Sequence, residues 1–177
     1  MTQHYNRVYQ HFLGLTDDGP PFQRPDRPPH TVHLLDGPRT YVRHQAEVPG
    51  RYRSGPLFGR WAGEQLVVIH VTMARPCGLT TGDDVPFALH ADYLLGWMDA
   101  LRSFDRSIDW IGHWLMTPDR SMPDHDDQLR LLRQAAGLGL VTADLPVVFF
   151  GWRRFDLQAE AFTYTPSLGA TPVVVEF

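Results

Sequence analysis

The residues best equipped for chemistry fall in one run, Ile108 to Asp127, IDWIGHWLMTPDRSMPDHDD. A short apolar stretch ends near Thr117, prolines 118 and 123 bracket a loop, and QLRLLRQAAG continues with helical spacing. A strand end thus faces a helix start carrying Asp124, His125, Asp126 and Asp127. Strand alternation puts His113 on the same face as Leu115 and Thr117. His113, His125 and Asp127 then form a nitrogen and oxygen set of the kind zinc accepts, with water in the remaining position. The same residues also read without a metal. Aspartates in the first turn cap free N–H groups and favour the helix dipole, His113 is a hydrogen-bonded strand histidine, and His125 is simply exposed.

Two further side chains are reactive types. His70 lies inside LVVIHVTM and reads as a satisfied core histidine, since it has no polar neighbour in sequence. Cys77 sits in the loop RPCGLTTGDD. A nucleophilic thiol needs a base and an electropositive setting, and Arg75 alone does not supply them.

The order Trp-Ile-Gly-His-Trp, Thr-Pro, Pro-Asp-His-Asp-Asp resembles the metal segment of the JAMM/MPN (JAB) family, whose members include zinc isopeptidases acting on ubiquitin and ubiquitin-like proteins. The family pattern is a strand, His-x-His-Pro, a loop, and Ser-x-x-Asp at a helix start. On this chain Pro118 takes the motif proline. Leu115 and Thr117 fall where the zinc histidines belong, Asp124 replaces the serine, and Asp127 keeps the aspartate. SGPLFGRW, Ser54 to Trp61, resembles the family's glycine-rich strand, and counting back from Gly59 puts Tyr52 at the position of the catalytic glutamate.

The resemblance implies a degenerate member. Leu115 cannot bind an ion and Thr117 is a poor neutral ligand. Water without a metal keeps too high a pKa to attack at neutral pH, and Tyr52 cannot take its proton as a carboxylate would. The expected role is a catalytically inactive binding or scaffold module, with no cofactor. Its expected partner is a protein, either ubiquitin-like or an active JAMM-family subunit, and it works as a homo- or heterodimer. The alternative is a metal-dependent isopeptidase that holds zinc through the displaced set His113, His125 and Asp127. A third reading is a small-molecule or carrier-protein module that merely shares the fold, which requires a closed pocket lined by Trp110, Trp114 and Met116.

Composition bounds these readings. The 177 residues are 43% hydrophobic and 20% charged, enough for one globular domain with a sizeable core. A net charge of -4 argues against a nucleic-acid partner, which calls for a basic surface. One cysteine excludes an internal disulfide and favours a reducing, cytoplasmic setting. No apolar run approaches the length of a membrane span.

Tyr5 to Leu15 has helical spacing, and Asp17 to His30 is a Pro-rich connector. Residues 1-30 are therefore set apart from a domain over 31-177. TVHLL and RTYVRHQAEV, split by Asp36-Gly37-Pro38, read as a hairpin. Phe87 to Leu101, opened by Asp83, Asp84 and Pro86, and Leu129 to Leu140 read as amphipathic helices. LVVIHVTM, LPVVFFGW, AEAFTYTP and TPVVVEF read as strands, the last one completing the sheet or pairing with another chain across an edge. The expected fold is α/β (α+β), a JAMM/MPN-like (cytidine-deaminase-like) central mixed sheet flanked by helices.

Overall fold

The computed structural model describes residues 6–15, 28–48, 50–74, 85–87 and 89–177. Most of the Pro-rich connector, Cys77 and the Asp83-Asp84 helix start lie outside the described residues. The elements in order are α1 (Arg7–Leu13), β1 (Thr31–Leu34), α2 (Asp36–Gln45), β2 (Arg53–Ala62), β3 (Gln65–Val71), α3 (Ala91–Phe104), β4 (Asp109–Ser121), α4 (His125–Gly137), β5 (Val147–Arg153), β6 (Asp156–Thr165) and β7 (Gly169–Glu176).

The strands close into a barrel in the order β1-β3-β2-β4-β5-β6-β7, and β7 returns to lie parallel to β1 with Thr31 opposite Val174. This corrects the expected JAMM/MPN-like central sheet flanked by helices. Its cause lies partly in the glycine-rich strand itself. A Cβ on Gly55 would sit 2.0 Å from the Thr72 carbonyl oxygen, and one on Gly59 would sit 1.9 Å from that of Val67. Register shifts at Leu57/Phe58 and Phe58/Gly59 add local bends. Close backbone approach and bulges are what let a sheet curl on itself. The glycines that looked like a catalytic signature are thus needed for curvature.

Side-chain alternation along the curved strands builds two cores. Trp114, Met116, Phe150, Val148, Leu57 and Val68 join residues from every strand and from Val42 and Ala46 of α2 in one cluster. Trp110, Leu115, Phe58 and Phe149 face outward and pack under Val8 of α1, Leu94 and Met98 of α3, and Leu131 and Leu132 of α4.

The hairpin expected around Asp36-Gly37-Pro38 is instead the helix α2. Pro38 lies in its first turn, where a missing N–H costs nothing, and Val42 and Ala46 form its buried side. The turn composition masked that four-residue spacing. α1 packs on α3 and β4, held by the Arg7 backbone N–H to the Asp109 carboxylate and the Arg7–Asp144 ion pair. α3 begins at the N-cap His90, so Phe87 precedes the helix and packs in the outer core. α4 ends as its glycines suggest: Gly139 has φ 70°, and Leu140 N–H reaches the Ala135 carbonyl in a Schellman arrangement.

Candidate functional site

The end of β4 and the start of α4 lie together, as the sequence indicates. Past Met116 the strand bulges before Ser121 rejoins β5 opposite Trp152. Asp119 organises the bulge. Its carboxylate accepts from Ser121 Oγ at 2.6 Å, Thr117 Oγ1 at 2.7 Å and the Ser121 amide at 3.2 Å. The Ser121 and Thr117 hydroxyls hold its pKa below the ordinary carboxylate range. Arg120, at φ 62°, points its guanidinium to the Ala46 and Glu47 carbonyls and ties the bulge to the end of α2.

The positions singled out by the resemblance divide into three kinds. Leu115 is sealed in the outer core. Thr117 is committed to Asp119 and lies 2.8 Å from the Ser121 carbonyl oxygen. Asp124 caps α4 by accepting the Asp127 N–H at 2.9 Å, as its place in the first turn dictates.

Tyr52 and Asp127 are brought together, but through an intermediary. Arg130 donates to the Asp127 carboxylate at 2.8 Å, and the Tyr52 side chain lies near enough to act on the same guanidinium. Asp127 first, then Tyr52, raise the guanidinium's pKa. An arginine on the same helix, largely exposed like its partner, therefore pairs with the carboxylate that the resemblance assigns to the ion. Reading the motif by itself misses Arg130, although an acid and an arginine three residues apart on a helix is a pairing legible in sequence.

The displaced ligand set is spread apart. His113 is wholly buried beside Phe87, with ring centroids 5.6 Å apart, and neither ring nitrogen has a hydrogen-bond partner. Burial, followed by the charge of His11, pushes its pKa down to about 3. His125 and Asp127 are exposed on α4. No group of three or more His, Cys, Asp or Glu able to hold a metal occurs among the described residues. His70 is half-buried against Trp97 and its Nε2 is unpartnered, so it is not the satisfied histidine expected.

The carrier pocket does not form from the expected residues. Trp114 and Met116 are buried inside the barrel, while Trp110 faces outward and lines a groove of about 300 Å³ with Arg7, His11 and Asp144. Among the other large aromatics, Trp61 and Trp152 pack against the inner cluster, and Trp152 Nε1 lies 3.4 Å from the Ala46 carbonyl oxygen. Phe155 is 97% exposed.

No helix among the described residues is long and apolar enough to cross a membrane. No family model matches the chain, and no curated protein matches it in sequence. Among solved structures, it is similar to the solution structure of protein DSY2949 from Desulfitobacterium hafniense, at 14% identity and a TM-score of 0.54, over 81% of this chain and 90% of that one. That likeness is one of fold.

Proposed function

We propose that the chain is a catalytically silent binding module that acts by contact with another protein. The observation that carries this reading is Arg130, which pairs with Asp127 at the junction where the resemblance calls for an ion. A guanidinium stays charged at any physiological pH, so it cannot take a proton from water, and it does not lower water's pKa as a bound metal would. Around it, Thr117 and Asp124 are spent on local structure. A ubiquitin-like protein, a JAMM-family subunit or a second copy all fall within this reading, and the single cysteine suits the reducing cytoplasm.

The test is metal content and turnover together. After exposure to zinc and removal of excess, the purified protein is expected to hold far less than one zinc per chain and to leave a ubiquitin-like fusion uncleaved. A stoichiometric zinc that disappears in Asp127→Ala overturns the proposal.

A further inference from the structure

The β5–β6 hairpin ends in a two-residue turn, Arg154-Phe155, closed by the pair Arg153 and Asp156. Both turn residues have positive φ, 50° and 75°, a conformation that turns of this length normally assign to Asn and Gly. Neither an arginine nor a phenylalanine suits it, and Phe155 gains nothing from its own chain, being 97% exposed. The charges at the tip are unevenly matched. Arg153 pairs with Glu160 at 2.9 Å, whereas Arg154 has no ion-pair or hydrogen-bond partner among the described residues. The hairpin therefore presents a projecting aromatic knob beside an uncompensated cation.

A complementary surface lies on α3. Asp92, Tyr93, Gly96, Trp97 and Ala100 line a mostly apolar groove of about 390 Å³. Phe104, one turn beyond Ala100, extends its apolar stripe and is 90% exposed. Gly96 leaves open space, since a Cβ there would meet no atom within 4 Å. Asp92 and Asp99, seven residues apart on the helix, supply acid beside the groove, and neither has an ion-pair partner among the described residues. The helix's one basic side chain, Arg102, turns instead to the Ile108 carbonyl.

We propose that the Arg154-Phe155 tip of one copy seats in the α3 groove of a second copy, with Phe155 on Trp97 and Gly96 and Arg154 facing Asp92 and Asp99. This rests on the contact-based reading above and names the occupant of that contact. A lipid surface is the weaker match, because one phenylalanine next to Asp156 and Glu160 lacks the cluster of cations that anionic headgroups attract. Knob and groove are different surfaces, so a single such contact is head-to-tail, and the pair it joins keeps one free knob and one free groove for further copies.

Sedimentation across a concentration series tests this on the full chain. The wild type is expected to gain mass with concentration beyond a dimer. Phe155→Asn, which suits the positive φ and removes the ring, should melt no lower than the wild type yet associate at least roughly tenfold more weakly, as loss of a hot-spot aromatic does. The double variant Asp92→Arg, Asp99→Arg is expected to associate more weakly by a similar factor. Mixed together, these two variants retain one intact groove and one intact knob between them, so the mixture should stop at a dimer. A wild type that is monomeric throughout, association unchanged by Phe155→Asn, or growth of the mixture beyond a dimer would each overturn the proposal. A monomeric result leaves the silent-site reading standing, because that reading is decided by zinc and cleavage.

Discussion

His113 shows how far a single side chain departs from what its neighbours in sequence suggest. It is wholly buried, both ring nitrogens lack partners, and its pKa is pushed from 6.5 to about 3 by burial and by His11. The folded protein therefore holds it neutral, while the unfolded chain binds a proton near 6.5. Stability from this group is fully present above pH 6.5 and falls as pH drops from there towards 3, by up to about 5 kcal/mol in total. Asp119, whose pKa is lowered by hydroxyl hydrogen bonds, adds a separate loss only in the acid range below the ordinary carboxylate value. Chemical denaturation at a series of pH values should thus show His113→Leu losing most of the slope between pH 6.5 and 4. At neutral pH the variant should be no less stable than the wild type by more than about 1 kcal/mol, since leaving two nitrogens unsatisfied already has a cost. An unchanged slope would show that other groups dominate. The strand alternation that placed His113 beside Leu115 was legible in sequence, because it depends on a local period. Its isolation was not, since the bulk that seals it comes from Phe87, 26 residues earlier.

At the scale of elements, local chemistry was easiest to read where it is settled within a few residues. The Asp124 cap, the Gly139 stop and the strands β5 to β7 follow from capping, turn and alternation signals. α2 was missed because Asp-Gly-Pro is as good a helix start as a turn, and the choice was made by Val42 and Ala46 finding the barrel interior. The glycine-rich strand was misread for a related reason: a glycine required for close approach looks the same in sequence as one required by a motif. The two roles separate experimentally. Gly59→Ala drives a methyl group into the Val67 carbonyl and is expected to cost about 3 kcal/mol or more in urea unfolding, in the range of severe core overpacking. Gly96→Ala, mid-helix with open space around it, should instead stabilise by up to about 1 kcal/mol. If Gly59→Ala were neutral, the barrel could not be as tightly curved between β2 and β3 as described.

For the whole molecule, the decisive step is one that no window of sequence contains. β1 and β7 meet with Thr31 opposite Val174, so the barrel closes by joining residues 143 positions apart. Such a contact carries a large loop-closure cost and is expected to form late in folding. It also removes the sheet edge that TPVVVEF would otherwise present, which is why edge pairing with another chain gives way here to closure within one chain. Val173 is buried in the inner cluster, so β7 contributes packing as well as ladder hydrogen bonds. Removing residues 169–177 should therefore do more than trim a terminus. It uncovers one edge of β1 and one of β6, opens the inner cluster around Val148 and Phe150, and leaves unpaired backbone groups able to pair between molecules. The expected outcome is loss of a single cooperative unfolding transition and concentration-dependent aggregation, followed by light scattering and hydrogen exchange. Exchange should rise first in β1, whose four residues then keep only β3 as a neighbour. A truncated chain that still unfolds cooperatively, with β1 amides protected as in the full chain, would show that closure contributes little to the fold and that six strands suffice.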